Sequence, residues 1–122
     1  MSPYSYTDRS YVLAETLLFK LDVPPKLQGF GFLAEAIAIR ANDSRSRFLD
    51  IYARIAADHG IAWKTASNSM IYAIYHAPTK LGRAIDRVHG DVFLSKVIAT
   101  LALQIKNVDC DPVSTDDEPI SY

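Results

Sequence analysis

The stretch Ile51–Ile74, IYARIAADHGIAWKTASNSMIYAI, decides how this chain is read. It predicts a helix, a tight break at Gly60 and a second helix. Ile55, Ala56, Gly60, Ala66 and Met70 stand where a helix-turn-helix needs aliphatic, small, turn, small and aliphatic residues. Ala56 is small enough for the second helix to cross close by. Gly60 is free to take the left-handed conformation that a sharp turn between helices demands. Ala66, Met70, Ala73 and Ile74 share one helical face and are expected to pack inward. Ala62, Trp63, Lys64, Ser67, Asn68 and Ile71 are then expected to face outward, where a recognition helix meets a DNA groove.

Upstream, residues 1–9 read as a leader, with Asp8 placed to cap a helix that runs to about Lys20. Val12, Leu13, Leu17 and Leu21 form its expected inner stripe. Val23-Pro24-Pro25 stops that helix, because proline cannot continue it, and Pro25 suits the first turn of the next. A second helix is expected over 25–41, with Leu27, Phe30, Leu33, Ala34, Ile37 and Ala38 inward and Gly29 and Gly31 as points of close packing. Asn42-Asp43-Ser44 signals a turn and cap. The third helix is expected over 45–59, with Phe48, Leu49, Tyr52, Ile55 and Ala56 inward, and the fourth over 63–77, ended by Pro78. Downstream, a short helix over 80–88 and a last one from Asp91 to about Lys106 complete an all-α chain of about six helices. The expected folded unit is 10–107, and 108–122, rich in Pro, Ser, Thr and acids, reads as a flexible tail.

At 122 residues, 49% hydrophobic and 22% charged, the chain has the composition of one globular domain. Its apolar runs are too short to span a membrane, and MSPYSYTDRSY lacks a signal pattern. Cys110 is the single cysteine, so no intrachain disulfide forms. A cytoplasmic location without membrane association is the expectation. The formal net charge of −1 conceals an asymmetry. Residues 1–108 carry 13 Lys and Arg against 9 Asp and Glu, whereas 109–122 carry only acids. A mildly basic body is compatible with nucleic acid.

Among single residues, Trp63 suits either stacking in a groove or packing over the turn. Lys64 suits a phosphate, and Ser67 and Asn68 suit base edges. Arg45 and Arg47, just before the third helix, suit backbone phosphates. Lys80, Arg83 and Arg87 are placed to flank the same surface as a wing-like element. Tyr72, Tyr75 and His76 follow the outward face and fit either phosphates or a protein partner. His59, His76 and His89 lack a shared metal spacing, so no metal or cofactor is expected. Asp8, Glu15, Glu35 and Asp58 read as caps and surface charge, with no acid–base pair among them. No P-loop or dinucleotide fingerprint is present, and no constellation suggests an enzyme.

Taken in order, these segments resemble the DNA-binding effector domain of the sporulation response regulator family, stage zero sporulation protein A. Leu21-Asp22-Val23-Pro24, Leu27-Gln28-Gly29-Phe30 and Phe32-Leu33-Ala34-Glu35-Ala36-Ile37 are similar to the family's Gly-Val-Pro, Lys-Gly-Tyr and Tyr-Leu-Arg-Glu-Ala-Ile. Ile51-Tyr52 with Ile55-Ala56 is similar to Leu-Tyr-Pro-x-Ile-Ala. Lys64–Ile74 falls without gaps on the family's recognition helix, and Asp91-Val92-Phe93-Leu94 is similar to its Ser-Glu-Phe-Ile. The resemblance covers roughly 10–107. It implies a helix-turn-helix effector domain of response-regulator type that binds promoter double-stranded DNA as dimers or tandem copies.

Two departures from the family pattern stand out. Ala66-Ser67-Asn68 replaces a Val-Glu-Arg, and Ile71 replaces a further Arg, so Lys64 is the one charge left on this helix. The expectation is therefore a transcription regulator without a receiver domain. Its contacts would come from Trp63, Lys64, Ser67, Asn68, Ile71, Tyr72, Arg45 and Arg47, and it would act as a homodimer. The alternative is a protein-interaction or oligomerisation module on the same fold.

Overall fold

The computed structural model describes residues 8–77, 80 and 94–109. Among them stand five α-helices and no strand: α1 Asp8–Lys20, α2 Gln28–Asn42, α3 Phe48–His59, α4 Trp63–Tyr75 and α5 Leu94–Asp109. The chain is all-α, with five described helices where about six were expected. The expected helix over 80–88 lies outside the described residues apart from Lys80. Arg83, Arg87 and Cys110 also lie outside them. Asp8 and Arg9 lie in the first turn of α1. Val108 and Asp109 lie in the last turn of α5.

The helix ends follow from backbone hydrogen-bond satisfaction. At the end of α1, the Val23 amide donates to Leu18 and the Asp22 amide to Phe19, both at 3.1 Å. This Schellman pattern requires a left-handed residue, and Asp22 supplies it at φ 65°. Pro24 then excludes further helix, and a single turn from Pro24 to Leu27 delays α2 until Gln28, three residues later than the proline suggested. Helix α3 likewise starts at Phe48 rather than near 45. Asp43 folds residues 43–46 into a turn, its Oδ1 accepting the Arg45 amide at 3.0 Å and its carbonyl accepting the Ser46 hydroxyl at 2.7 Å.

Helix α2 is the axis of the molecule. Every residue from Phe32 to Ile39 is buried, and α1, α3, α4 and α5 all contact it. A helix that is apolar on all sides has to be sheathed in this way. Leu18, Leu33, Ile37, Ile51, Ile55, Met70, Ile74, Ile98 and Leu101 fill the space between helices as fully buried side chains. Two inward expectations are corrected. Val12 on α1 and Leu49 on α3 are exposed, and Ser10, Ala14 and Leu18 line the inner face of α1 instead. Small residues there let α1 approach α2 closely, which hydropathy alone does not reveal.

The two glycines of α2 differ sharply. A Cβ on Gly29 would lie 2.0 Å from the Ser69 carbonyl oxygen and 3.0 Å from the Ala73 methyl, so α4 crosses α2 at backbone contact there. A Cβ on Gly31 would meet nothing within 4 Å. We expect Gly29→Ala to destabilise the fold by about 2–3 kcal/mol through overpacking against backbone. Gly31→Ala should stabilise it by about 0.5–1 kcal/mol through helix propensity. Urea unfolding of the two variants checks the pair.

Tyr52 on α3 is buried, and that burial pushes its phenol from 10.0 up to about 12. The native state therefore holds the phenolic proton more tightly than the unfolded chain. Stability is full below pH 10 and falls as the pH rises toward 12, by about 2–3 kcal/mol across the window. Denaturant titrations of the native chain and of Tyr52→Phe between pH 9 and 12 should show the decline in the first and its reduction in the second.

Candidate nucleic-acid interface

Gly60 adopts φ 67° and ψ 34°, the left-handed conformation expected of it. The Ile61 amide donates to Ala56 at 3.0 Å and the Gly60 amide to Ala57 at 3.4 Å, a second Schellman closure. Ile61 then folds back against the core, and Ala62 opens α4. The connection between α3 and α4 is thus Gly60-Ile61-Ala62, and the two helices pack on each other.

Ala66, Met70, Ala73 and Ile74 turn into the core as expected. The opposite face of α4 carries Lys64, Asn68 and Tyr72, all exposed and spaced four residues apart. That spacing aligns them along one strip. His76 continues the strip: its Nδ1–H donates to the Tyr72 carbonyl at 3.0 Å, and the two rings stand 4.4 Å apart. Trp63 is 45% exposed at the first turn, Tyr72 57% and Tyr75 64%. Beside the strip, Leu27, Gln28 and Gly29 of the α2 start and Thr65, Asn68 and Tyr72 of α4 line a shallow groove. Helix α4 has no acidic residue, and Lys64 is its single cation.

Two of the expected contact residues do not face outward. Ser67 is 9% exposed, and its hydroxyl donates to the Lys64 carbonyl at 3.1 Å. This back-bond satisfies the hydroxyl inside the helix and removes it from the groove-facing set. Ile71 is half-buried at the edge of the face. Arg45 and Arg47 are exposed as expected, but they precede α3, with Arg47 at its N-cap position and no side-chain capping bond. Twelve residues of α3 separate them from Gly60, about 18 Å along the helix axis. Lys80 pairs with Asp22 at 3.1 Å, which ties it to the end of α1.

One pair escaped the sequence reading. Glu35, read as surface charge, is 8% exposed, and the His59 Nε2–H donates to its Oε2 at 2.7 Å. The Phe32 ring lies 4.8 Å from the His59 ring and covers it on one side. Glu35 and His59 are 24 residues apart, so only the fold reveals them as partners. Asp58 instead forms an exposed pair with Arg54 at 3.0 Å, in keeping with surface charge.

No protein-family model, no curated protein and no solved structure matches this chain. No helix among the described residues is long and apolar enough to cross a membrane, and no group of three or more metal-ligating side chains occurs among them.

The open space around Gly60 means that a side chain there meets only backbone strain. Gly60→Ala is therefore expected to cost about 1–2 kcal/mol, the penalty of a left-handed non-glycine residue. A drop in the thermal midpoint without loss of helical circular dichroism at low temperature checks this.

Proposed function

We propose that this chain is a sequence-specific double-stranded-DNA-binding protein, a cytoplasmic transcription regulator. In this reading α3, the Gly60 turn and α4 form a helix-turn-helix. The observation that carries the reading is the strip of Lys64, Asn68 and Tyr72 on α4, whose opposite face is locked into the core. A helix held so firmly from behind presents its outer side chains in fixed register, as groove reading requires. The resemblance of 10–107 to the sporulation regulator effector domain supports the same assignment.

Each residue then has a distinct task. Asn68 offers a donor and an acceptor to an adenine edge, and Lys64 neutralises a phosphate. Trp63 and Tyr72 supply flat surface and, for Tyr72, a hydroxyl for the sugar–phosphate backbone. Arg45 and Arg47 reach phosphates flanking the groove that α4 enters. One short helix reads only a few base pairs, so two copies on two half-sites are expected. The protein is read as a binding protein and not an enzyme.

A second reading has an observation of its own. Trp63, Tyr72 and Tyr75 expose aromatic surface on a helix with a single cation, and aromatics are enriched where proteins meet proteins. On that reading the same face binds a protein partner or another copy of the chain.

Selection from random duplex DNA, followed by a salt titration, separates the two. The DNA reading expects one enriched motif, relaxed specificity in Asn68→Ala and unchanged specificity in Ser67→Ala. It also expects Lys64→Ala to weaken all sequences alike and to reduce the salt slope by about 0.9. Absence of enrichment, together with salt-insensitive self-association through Tyr72 and Tyr75, would establish the second reading instead.

A further inference from the structure

Helices α2 and α5 pack on each other, and a groove beside their contact is lined by Arg40, Ser44, Ala99, Ala102, Leu103 and Lys106. Its lining joins apolar Ala99, Ala102 and the exposed Leu103 to two cations, with no carboxylate. Arg40 is held in place: its guanidinium donates to the Ser46 carbonyl and stands over the Phe48 ring at 4.5 Å. That single bond leaves the guanidinium further donors. Lys106 takes part in no ion pair among the described residues. Residues 110–122 follow directly on α5 and carry Asp111, Asp116, Asp117 and Glu118, with no Lys or Arg. Val113 and Ile120 stand among these acids.

We infer that this groove is the docking site of the chain's own segment 110–122. Asp116, Asp117 and Glu118 pair with Arg40 and Lys106, and Ile120 covers Leu103. Charge and reach both select this groove. Helix α5 carries Lys96 and Lys106 and no acid before Asp109. The groove beside α4 is lined by no cation, and the one between α1 and α5 by Lys20 alone. Ala99 stands about 15 Å before Asp109 along the axis of α5. Residues 110–118 span about 30 Å when extended, enough to turn back and run along that helix. The segment is tethered to the helix that lines the groove, so its effective concentration there is on the order of millimolar. Exposed ion pairs are individually weak, and the tether is what makes them sufficient. Arg40, already fixed by Ser46 and Phe48, loses little freedom on pairing. The inference does not rest on the DNA reading, because no lining residue belongs to α3 or α4.

The test uses the full chain, isotopically labelled, with Cys110→Ser and Ser121→Cys so that one nitroxide sits near the end of the segment. Paramagnetic relaxation enhancement of the amide resonances is then measured. Docking predicts stronger enhancement at Arg40, Ser44, Ala99 and Leu103 than at Lys64 and Asn68. The enhancement at Arg40 and Ala99 should fall at least about twofold in about 1 M sodium chloride, where the Debye length is about 3 Å. Asp116→Asn, Asp117→Asn and Glu118→Gln together should lower it equally at low salt. Lys106→Glu should lower it too, and Asp116→Lys with Asp117→Lys should restore it. Enhancement centred on α4 overturns the proposal, as does enhancement unchanged by salt and by the neutralised acids. Enhancement that disappears when the tagged chain is diluted into untagged, unlabelled chain would mark a contact between copies and also overturn it.

Discussion

Helix α2 has no face left for water from Phe32 to Ile39, and its other end touches α4 backbone to backbone at Gly29. The remaining arrangement depends on these two facts. A helix with apolar side chains on every side is stable only when neighbours enclose it, and α1, α3, α4 and α5 each contribute one wall. The Gly29 contact then fixes where α4 crosses, since the Ser69 carbonyl occupies the space a Cβ would need. Met70, Ala73 and Ile74 fall into the core from that crossing point. The same rotation sends Lys64, Asn68 and Tyr72 outward. The outer face of α4 is therefore set by α2 as much as by the turn at Gly60.

Glu35 is the exception on this buried axis, and its partner explains how it is tolerated. An isolated carboxylate at that depth would lose its hydration without return. His59 replaces part of that hydration from the last residue of α3, and Phe32 holds the imidazole in place. The bond therefore joins the central helix to the residue immediately before Gly60. Helices α2 and α3 also pack on each other through apolar side chains. The Glu35–His59 bond adds direction at the end where the chain reverses.

How much of this was legible in the sequence depended on the signal each residue carries. The α3–Gly60–α4 segment was readable because a left-handed glycine, small residues at the crossing and a clean apolar period agree with one another. Gly29 was readable as a site of close packing, whereas Gly31 carries the same letter and faces open space. The stripe of α1 was misplaced because Ser10 and Ala14, its buried residues, are small and weakly apolar, while the bulkier Val12 is exposed. As a polar residue Ser67 reads as outward, yet its hydroxyl is satisfied locally by the Lys64 carbonyl. Glu35 gave no sequence signal at all, because its partner is 24 positions away and no local period connects them. Hydropathy thus located the helices and the turn, but it could not separate a polar atom that is satisfied inside from one that is free outside.

The charge distribution bears on what α4 can do. DNA affinity at physiological salt grows with the number of phosphates neutralised, and one lysine contributes one such contact. A single α4 strip therefore cannot supply strong binding by charge alone. Residues 1–108 carry 13 basic against 9 acidic side chains, and Arg45 and Arg47 stand exposed just before α3. If two copies bind side by side, as proposed above, they would double the phosphate contacts without adding a cation to α4. On the DNA reading proposed above, this would favour a two-copy complex over a lone domain, with Asn68 and its aromatic neighbours supplying selectivity rather than affinity.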